Sequence, residues 1–459
     1  MKKYLFLEIL FSFLFFSCNF FSQNGFFIEE GINQSIESSQ NISQDERLWT
    51  ILIYMCADNN LESAAMNDIF EMECSTLDTN IVNILLLIDK SESYTNLNDN
   101  WSGTKLFKLK TGRNQSQFSM ISQELDCSYL GLISGEEKEL DLSDENVLEK
   151  SILYAMNRFP ASNYGLIMWG HGSGWKNLSE NDKSYKGFSY DETSKSYMTL
   201  KQFGSALKNC FSEQKLDFLG FDTCYGGEIE VMYEIRNFVK FACGSEGLVS
   251  SSGWNYENLF STFQKSELKT VEDLLETSFL QFKKQYSTTN RASFSVCDLS
   301  KIEDYFTSFD LFTKKSADLI TNPTLRDSVF EILYASENCN TEKYTLGAEG
   351  YDVYFDCISL CKNLNDFFQN QELHSLYEKF IQAHNLCIVK SWASDRNNAG
   401  LGVFFQTLAT GGFLQTSYNS NYIKGKTYNQ IDFVSENTGY VPTLSKNQSL
   451  LDKIFYSSF

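Results

Sequence analysis

The sequence predicts an α/β fold: a mostly parallel sheet flanked by helices on both faces, with a helix-rich C-terminal part. Two observations carry this. Residues 48–55, 81–88, 164–169, 216–221 and 238–243 are short apolar runs of strand length, apolar enough to be buried on both faces. Helical patterns separate them, and strands alternating with helices give crossover units and a parallel sheet. With 42% hydrophobic and 21% charged residues, the chain has the composition of a globular protein, which excludes wholesale disorder.

The elements follow in order. Lys2 and Lys3 precede an apolar run over residues 4–16 that ends at Ser17 and Cys18, the pattern of an export signal. The run is shorter than the roughly 20 residues a membrane span needs. The Ser-Cys ending resembles a bacterial lipoprotein signal, with residues 1–17 removed and Cys18 carrying lipid that holds the protein at a membrane surface. A plain secretory signal and an uncleaved anchor are the alternatives. Residues 18–47, rich in Ser, Asn, Gln and Glu, read as a flexible tether. A catalytic domain is expected over residues 48–255. After the first strand, Asp58-Asn59-Asn60 signals a helix start, and the helix runs to about Cys74. The second strand is followed by a possible hairpin strand over residues 101–110. Ser143-Asp144 opens a helix to Arg158, ahead of the third strand. Helices over 200–211 and 227–237 precede the fourth and fifth strands. Residues 256–459 read as a second domain or as a helical elaboration of the first. They carry helices near 271–285, 298–320, 356–368 and 373–386, and strands near 292–296 and 401–405.

Charge and residue counts narrow the function. A formal net charge of −21 argues against a general nucleic-acid footprint. Twelve Cys are too sparse for a disulfide scaffold. Only 3 His are present, so imidazole chemistry must use His171, His374 or His384. In open α/β sheets functional groups lie beyond the carboxyl ends of the strands. Gly170-His171-Gly172-Ser173-Gly174-Trp175 follows the third strand, and Asp222-Thr223-Cys224-Tyr225-Gly226-Gly227 the fourth. A His and a Cys thus reach one rim, the minimum set for a thiolate nucleophile. The bland alternative is a loop histidine and a small buried thiol. Cys357, Cys361, His374 and His384 do not make a convincing zinc set, because two histidines ten apart on one helix point different ways.

The spacing of His171 and Cys224, 53 residues with the Cys downstream, is near that of caspases. Together with Trp49-Thr50-Ile51-Leu52-Ile53-Tyr54-Met55, Ala57-Asp58-Asn59-Asn60-Leu61-Glu62, Gly187-Phe188-Ser189-Tyr190-Asp191-Glu192 and Leu219-Gly220-Phe221-Asp222-Thr223-Cys224, these loops resemble the clostripain-like cysteine peptidases of the caspase, gingipain and legumain clan. The resemblance runs from about residue 48 to about 405. It implies a caspase-like fold and a peptidase in which Cys224 is the nucleophile, His171 its acid–base partner, and the backbone N–H groups of Gly172 and Cys224 the oxyanion donors. It makes Asp222 the carboxylate that selects a basic P1 side chain; the alternative is a helix cap. The second acidic residue some relatives carry after the next strand is replaced here by Ser250-Ser251-Ser252, with Glu246 the nearest acid. Family members are often zymogens cut at a basic residue. Residues 177–186 form a polar stretch in which Lys183 and Lys186 are the self-cleavage candidates. Calcium is implied by resemblance only, since no run of carboxylates matches a compact calcium loop. The expected partners are peptide or protein substrates with basic P1 residues, and a membrane through the lipid anchor. The rival readings are a catalytically silent surface binding module and a structural lipoprotein whose acidic surface binds basic partners.

Overall fold

A computed structural model describes residues 47–91, 101–114, 116, 119–174, 187–263, 270–288, 292–334, 353–394, 399–405, 431–441 and 449–455. In chain order the strands are β1 (Arg47–Ala57), β2 (Val82–Lys90), β3 (Gly103–Lys108), β4 (Gln123–Leu125), β5 (Ala161–Trp169), β6 (Phe188–Asp191), β7 (Ser196–Met198), β8 (Leu216–Asp222), β9 (Val239–Gly244), β10 (Ser293–Asp298), β11 (Val353–Asp356), β12 (Ile388–Ala393) and β13 (Gly402–Phe405). The helices are α1 (Glu62–Cys74), α2 (Glu145–Arg158), α3 (Leu200–Cys210), α4 (Ile229–Ile235), α5 (Tyr256–Ser261), α6 (Val271–Tyr286), α7 (Ile302–Leu319), α8 (Pro323–Tyr334), α9 (Cys357–Phe368), α10 (Gln371–Cys387), α11 (Asp432–Glu436) and α12 (Leu450–Phe455).

The five apolar runs become the middle of one sheet, because a strand with no polar face needs a partner on both edges and cover on both sides. Among the described residues the strand order is β12-β10-β9-β8-β5-β1-β2-β3-β4. β9, β8, β5, β1 and β2 pair in parallel. β3 and β4 on one side, and β10 and β12 on the other, pair antiparallel. The alternation of β1 splits the core in two. Leu52, Tyr54 and Cys56 join one apolar cluster with residues of α2, α3, α4, α7, α9 and α10. Ile51, Ile53 and Met55 join the other, with α1, α5 and α6. Each such fully buried side chain contributes roughly 1.5–3 kcal/mol.

Two details depart from the sequence reading. The antiparallel edge strands β10 and β12 arise from the later half of the chain, yet extend the same sheet. β12 showed no signal because it is an edge strand whose last five side chains are not buried. The helix expected over 227–237 is shorter, α4 beginning only at Ile229. Gly227 is pressed onto the next loop instead: its N–H donates to Ser245 O at 2.7 Å, and a Cβ there would lie 2.9 Å from the Ser245 carbonyl carbon.

Candidate active site

Strand register builds the site. β5 and β8 run parallel with Trp169 opposite Asp222, on neighbouring strands about 4.8 Å apart. His171 lies two residues past Trp169 and Cys224 two residues past Asp222, so the two emerge side by side at one rim. The loops touch: a Cβ on Gly172 would lie 2.8 Å from Thr223 Cβ and would overlap the Cys224 carbonyl oxygen. His171 Nε2 meets Asn60 Oδ1 at 2.8 Å. With the amide oxygen facing the ring, Nε2 carries the hydrogen and Nδ1 is left as the basic nitrogen. Burial pushes the imidazole down to about 4. Val249 N–H donates to Cys224 Sγ at 3.3 Å, and the thiol faces Val249 O at 3.7 Å. Burial pushes that thiol up to about 11, against the pull of the Val249 N–H. At neutral pH the pair is therefore a thiol and a neutral imidazole rather than a thiolate and an imidazolium. Tyr225 takes a positive φ of 56° just after Cys224, and its ring stacks on Tyr354 of β11 with centroids 4.6 Å apart. The Tyr354 hydroxyl donates to Ser173 O at 3.1 Å, so one ring from β11 spans both loops.

Asp222 ends β8 and caps no helix. Its Oδ2 accepts from Trp254 N at 3.0 Å and from the Tyr256 hydroxyl at 2.9 Å, while its buried Oδ1 has no hydrogen-bond partner. Beside it lies Asp68, from the buried face of α1. Asp68 Oδ2 accepts from Trp169 Nε1 at 2.7 Å. Gly253 lies against both carboxylates: a Cβ there would lie 2.7 Å from Asp222 Oδ2 and 2.9 Å from Asp68 Oδ2. Burial and the neighbouring carboxylate hold Asp68 up at about 9; burial holds Asp222 up at about 7. The pair thus keeps a proton well above the ordinary carboxylate range.

The sequence model of the clostripain family matches residues 53–440. The chain belongs to the clostripain family. Clostripain of Hathewaya histolytica is 27% identical over 258 residues, 52% of this chain and 46% of its own. The chain thus matches about half the length of that curated relative. An inactive zymogen C11 protease from Parabacteroides distasonis superposes with a TM-score of 0.59 at 17% identity, over 86% of this chain and 99% of its own. A secreted C11 cysteine protease from Bacteroides thetaiotaomicron, in complex with an irreversible peptide inhibitor, gives 0.54 at 18% identity, over 83% and 98%. At these identities the superpositions speak for the fold, and the expected caspase-like sheet is the fold of these cysteine peptidases.

In this clostripain-family chain the rim gathers His171, Gly172, Asp222 and Cys224 as expected from sequence. Cys18, Lys183 and Lys186 lie outside the described residues. Glu246 does not serve the Asp222 corner; it is buried and accepts from Gly400 N at 2.6 Å. Asp68 takes the place beside Asp222. Asp58 does not cap α1 either. Asn59 Oδ1 accepts from Leu61 N at 3.0 Å in that turn, while Asp58 Oδ2 accepts from Thr193 N at 2.8 Å. Asp58 instead gathers with Asp89, Glu139 and Asp191, one oxygen of each lying within 4.8 Å of the others. Oxygen-only donors of this kind suit a hard divalent cation. His374 is exposed near Asn365, whereas His384 is buried against Tyr305 and Phe380, so the two do not share a zinc site.

Proposed function

We infer that this protein is an exported cysteine endopeptidase that cuts peptide bonds after Arg or Lys. The observation that carries the reading is the register of β5 and β8, which sets His171 and Cys224 at equal offsets on one rim. Starting from a neutral pair, His171 takes the Sγ proton as the sulfur attacks the substrate carbonyl. The oxyanion sits on the backbone N–H groups of Gly172 and Cys224. His171 returns the proton to the departing amine, and water then hydrolyses the thioester. Asp222, supported by Asp68, receives the basic P1 side chain. A guanidinium or ammonium drives off the proton the pair holds when empty and meets two carboxylates. Self-cleavage after Lys183 or Lys186 frees the cleft, and lipid on Cys18 tethers the exported chain to a membrane. Among the described residues no helix is long and apolar enough to cross one.

The test is hydrolysis of fluorogenic Arg-, Lys- and Leu-peptides by the wild type and by Cys224→Ala. Cleavage of Arg and Lys peptides that vanishes in the variant is expected. Equal cleavage after Leu would refute the pocket, and activity surviving in Cys224→Ala would refute the mechanism. N-terminal sequencing of the active protein should find a new terminus at Ser184 or Gly187 that is absent from Cys224→Ala. A fully active uncut chain would end the self-processing reading.

A further inference from the structure

We propose that Tyr354 is a positioning residue for the reaction: from the later half of the chain it fixes the spacing between the Gly172 and Cys224 backbone N–H groups that receive the oxyanion. The proposal rests on the reading of His171 and Cys224 as the catalytic pair.

The spacing needs a brace. The ladder between β5 and β8 ends at Trp169 and Asp222, so beyond it the distance between the two loops depends on loop contacts. The nucleophile loop is also strained. Tyr225, the residue after Cys224, has a φ of 56°. A residue with a Cβ holds that backbone only where its surroundings fix it. Two contacts do so here. Tyr225 N–H donates to Gly247 O at 2.9 Å, and its ring stacks on Tyr354 with centroids 4.6 Å apart and 30° between the planes. The Tyr225 backbone sets the direction of the peptide that follows Cys224, so the stack steadies that peptide as well.

On the other loop, Ser173 follows Gly172 directly. Its N–H donates to Gly187 O at 2.9 Å, and its carbonyl accepts from the Tyr354 hydroxyl at 3.1 Å. Tyr354 is buried, and a buried hydroxyl spends its hydrogen on an acceptor. One side chain thus holds the nucleophile loop by its face and the histidine loop by its tip.

The brace is itself anchored. β11 pairs antiparallel with β13, Tyr354 lying opposite Phe404. Gly402 of β13 donates its N–H to Gly227 O at 3.0 Å, on the chain leaving Cys224. Where β11 runs into α9, Asp356 Oδ1 accepts from Ser359 N at 2.7 Å and Cys357 N–H donates to Leu401 O at 3.0 Å. The ribbon is therefore tied to the nucleophile loop at Gly227, and Tyr354 reaches from it to the histidine loop. Oxyanion donors must lie about 2.7–3.1 Å from the oxygen they hold, and a misplacement of about 1 Å costs about 100-fold.

The experiment compares full-length Tyr354→Phe and Tyr354→Leu with the wild type, all in the same processing state. Two rates are read: hydrolysis of the peptide the wild type cleaves best, as separate kcat and KM, and alkylation of Cys224 by iodoacetamide, followed at the Cys224 peptide by mass spectrometry. Alkylation uses the sulfur but develops no oxyanion. Tyr354→Phe keeps the ring and loses the hydroxyl; it should lower kcat about tenfold, with KM and the alkylation rate within about twofold of the wild type. Tyr354→Leu loses both contacts and should lower kcat about 100-fold. A side chain that only stabilised the fold would move KM and alkylation along with kcat. Should Tyr354→Leu fail to fold, Tyr354→Phe alone decides. The proposal is overturned if Tyr354→Phe keeps the wild-type kcat, or if its KM and alkylation rate change as much as its kcat. A wild type that cleaves no peptide, or activity surviving in Cys224→Ala, overturns the catalytic pair and this proposal with it.

Discussion

Two acidic corners lie at the same rim and are built differently. At the end of β8, Asp68 and Asp222 face neutral donors, the Trp169 indole, the Tyr256 hydroxyl and the Trp254 amide, with one Asp222 oxygen left over. Beyond β1 and β2, four carboxylates converge, with two oxygens unpartnered. Two carboxylates in a donor-lined corner suit a transient organic cation, which must leave after each turnover. Four converging oxygen donors suit a hard divalent cation instead. The number of neutral donors around buried carboxylates, rather than their charge alone, distinguishes the two corners.

The comparison is sharpened first at the His171 and Cys224 pair on the same rim. Cys224→Ala and His171→Ala should each lower kcat/KM for an Arg peptide by about 10⁴-fold or more, and the double variant should be no worse, as groups acting together are non-additive. Asp222→Asn should reduce kcat/KM for Arg peptides by about 100-fold, mainly through KM, while a poor Leu substrate changes little. Asp68→Asn should do the same by about tenfold; an equal loss with Arg and Leu peptides would make Asp68 merely structural. pH separates the corners further. Asp68 and Asp222 are both held above the usual carboxylate range. Raising pH from about 6 to about 8 removes a proton, leaves the corner more negative, and should lower KM for Arg peptides by up to about tenfold. KM for Leu peptides should stay flat. His171, neutral above about 4, should contribute no limb in that window. Asn60→Ala should have the smallest effect, lowering kcat several-fold with KM unchanged and shifting the acid limb of the profile, since only the ring's orientation is lost.

Much of this was legible in the sequence. The five parallel strands stood out because they have no polar face, and a chain with 3 His and one His after a buried strand leaves few choices for a Cys partner. Asp68 was hidden. It sits inside an amphipathic helix, where an acid reads as solvated surface, and only the packing of α1 on β5 and β8 reveals its partner. The four-carboxylate group was sought as a contiguous loop and is assembled from residues 58, 89, 139 and 191, so spacing carried no signal. The place of β10 and β12 in the sheet was equally silent, since antiparallel pairing across nearly a hundred residues leaves no local pattern.

The stack of Tyr354 on Tyr225, with its hydroxyl on Ser173, has a consequence in time. A chain is made from its N-terminus, and His171 and Cys224 emerge long before residue 354. Until β11 arrives, the Tyr354 ring and hydroxyl are missing from between the two loops. The rim is therefore completed by one of the later segments to emerge. A chain cut short before residue 353 would contain both candidate catalytic residues without the Tyr354 clasp between their loops.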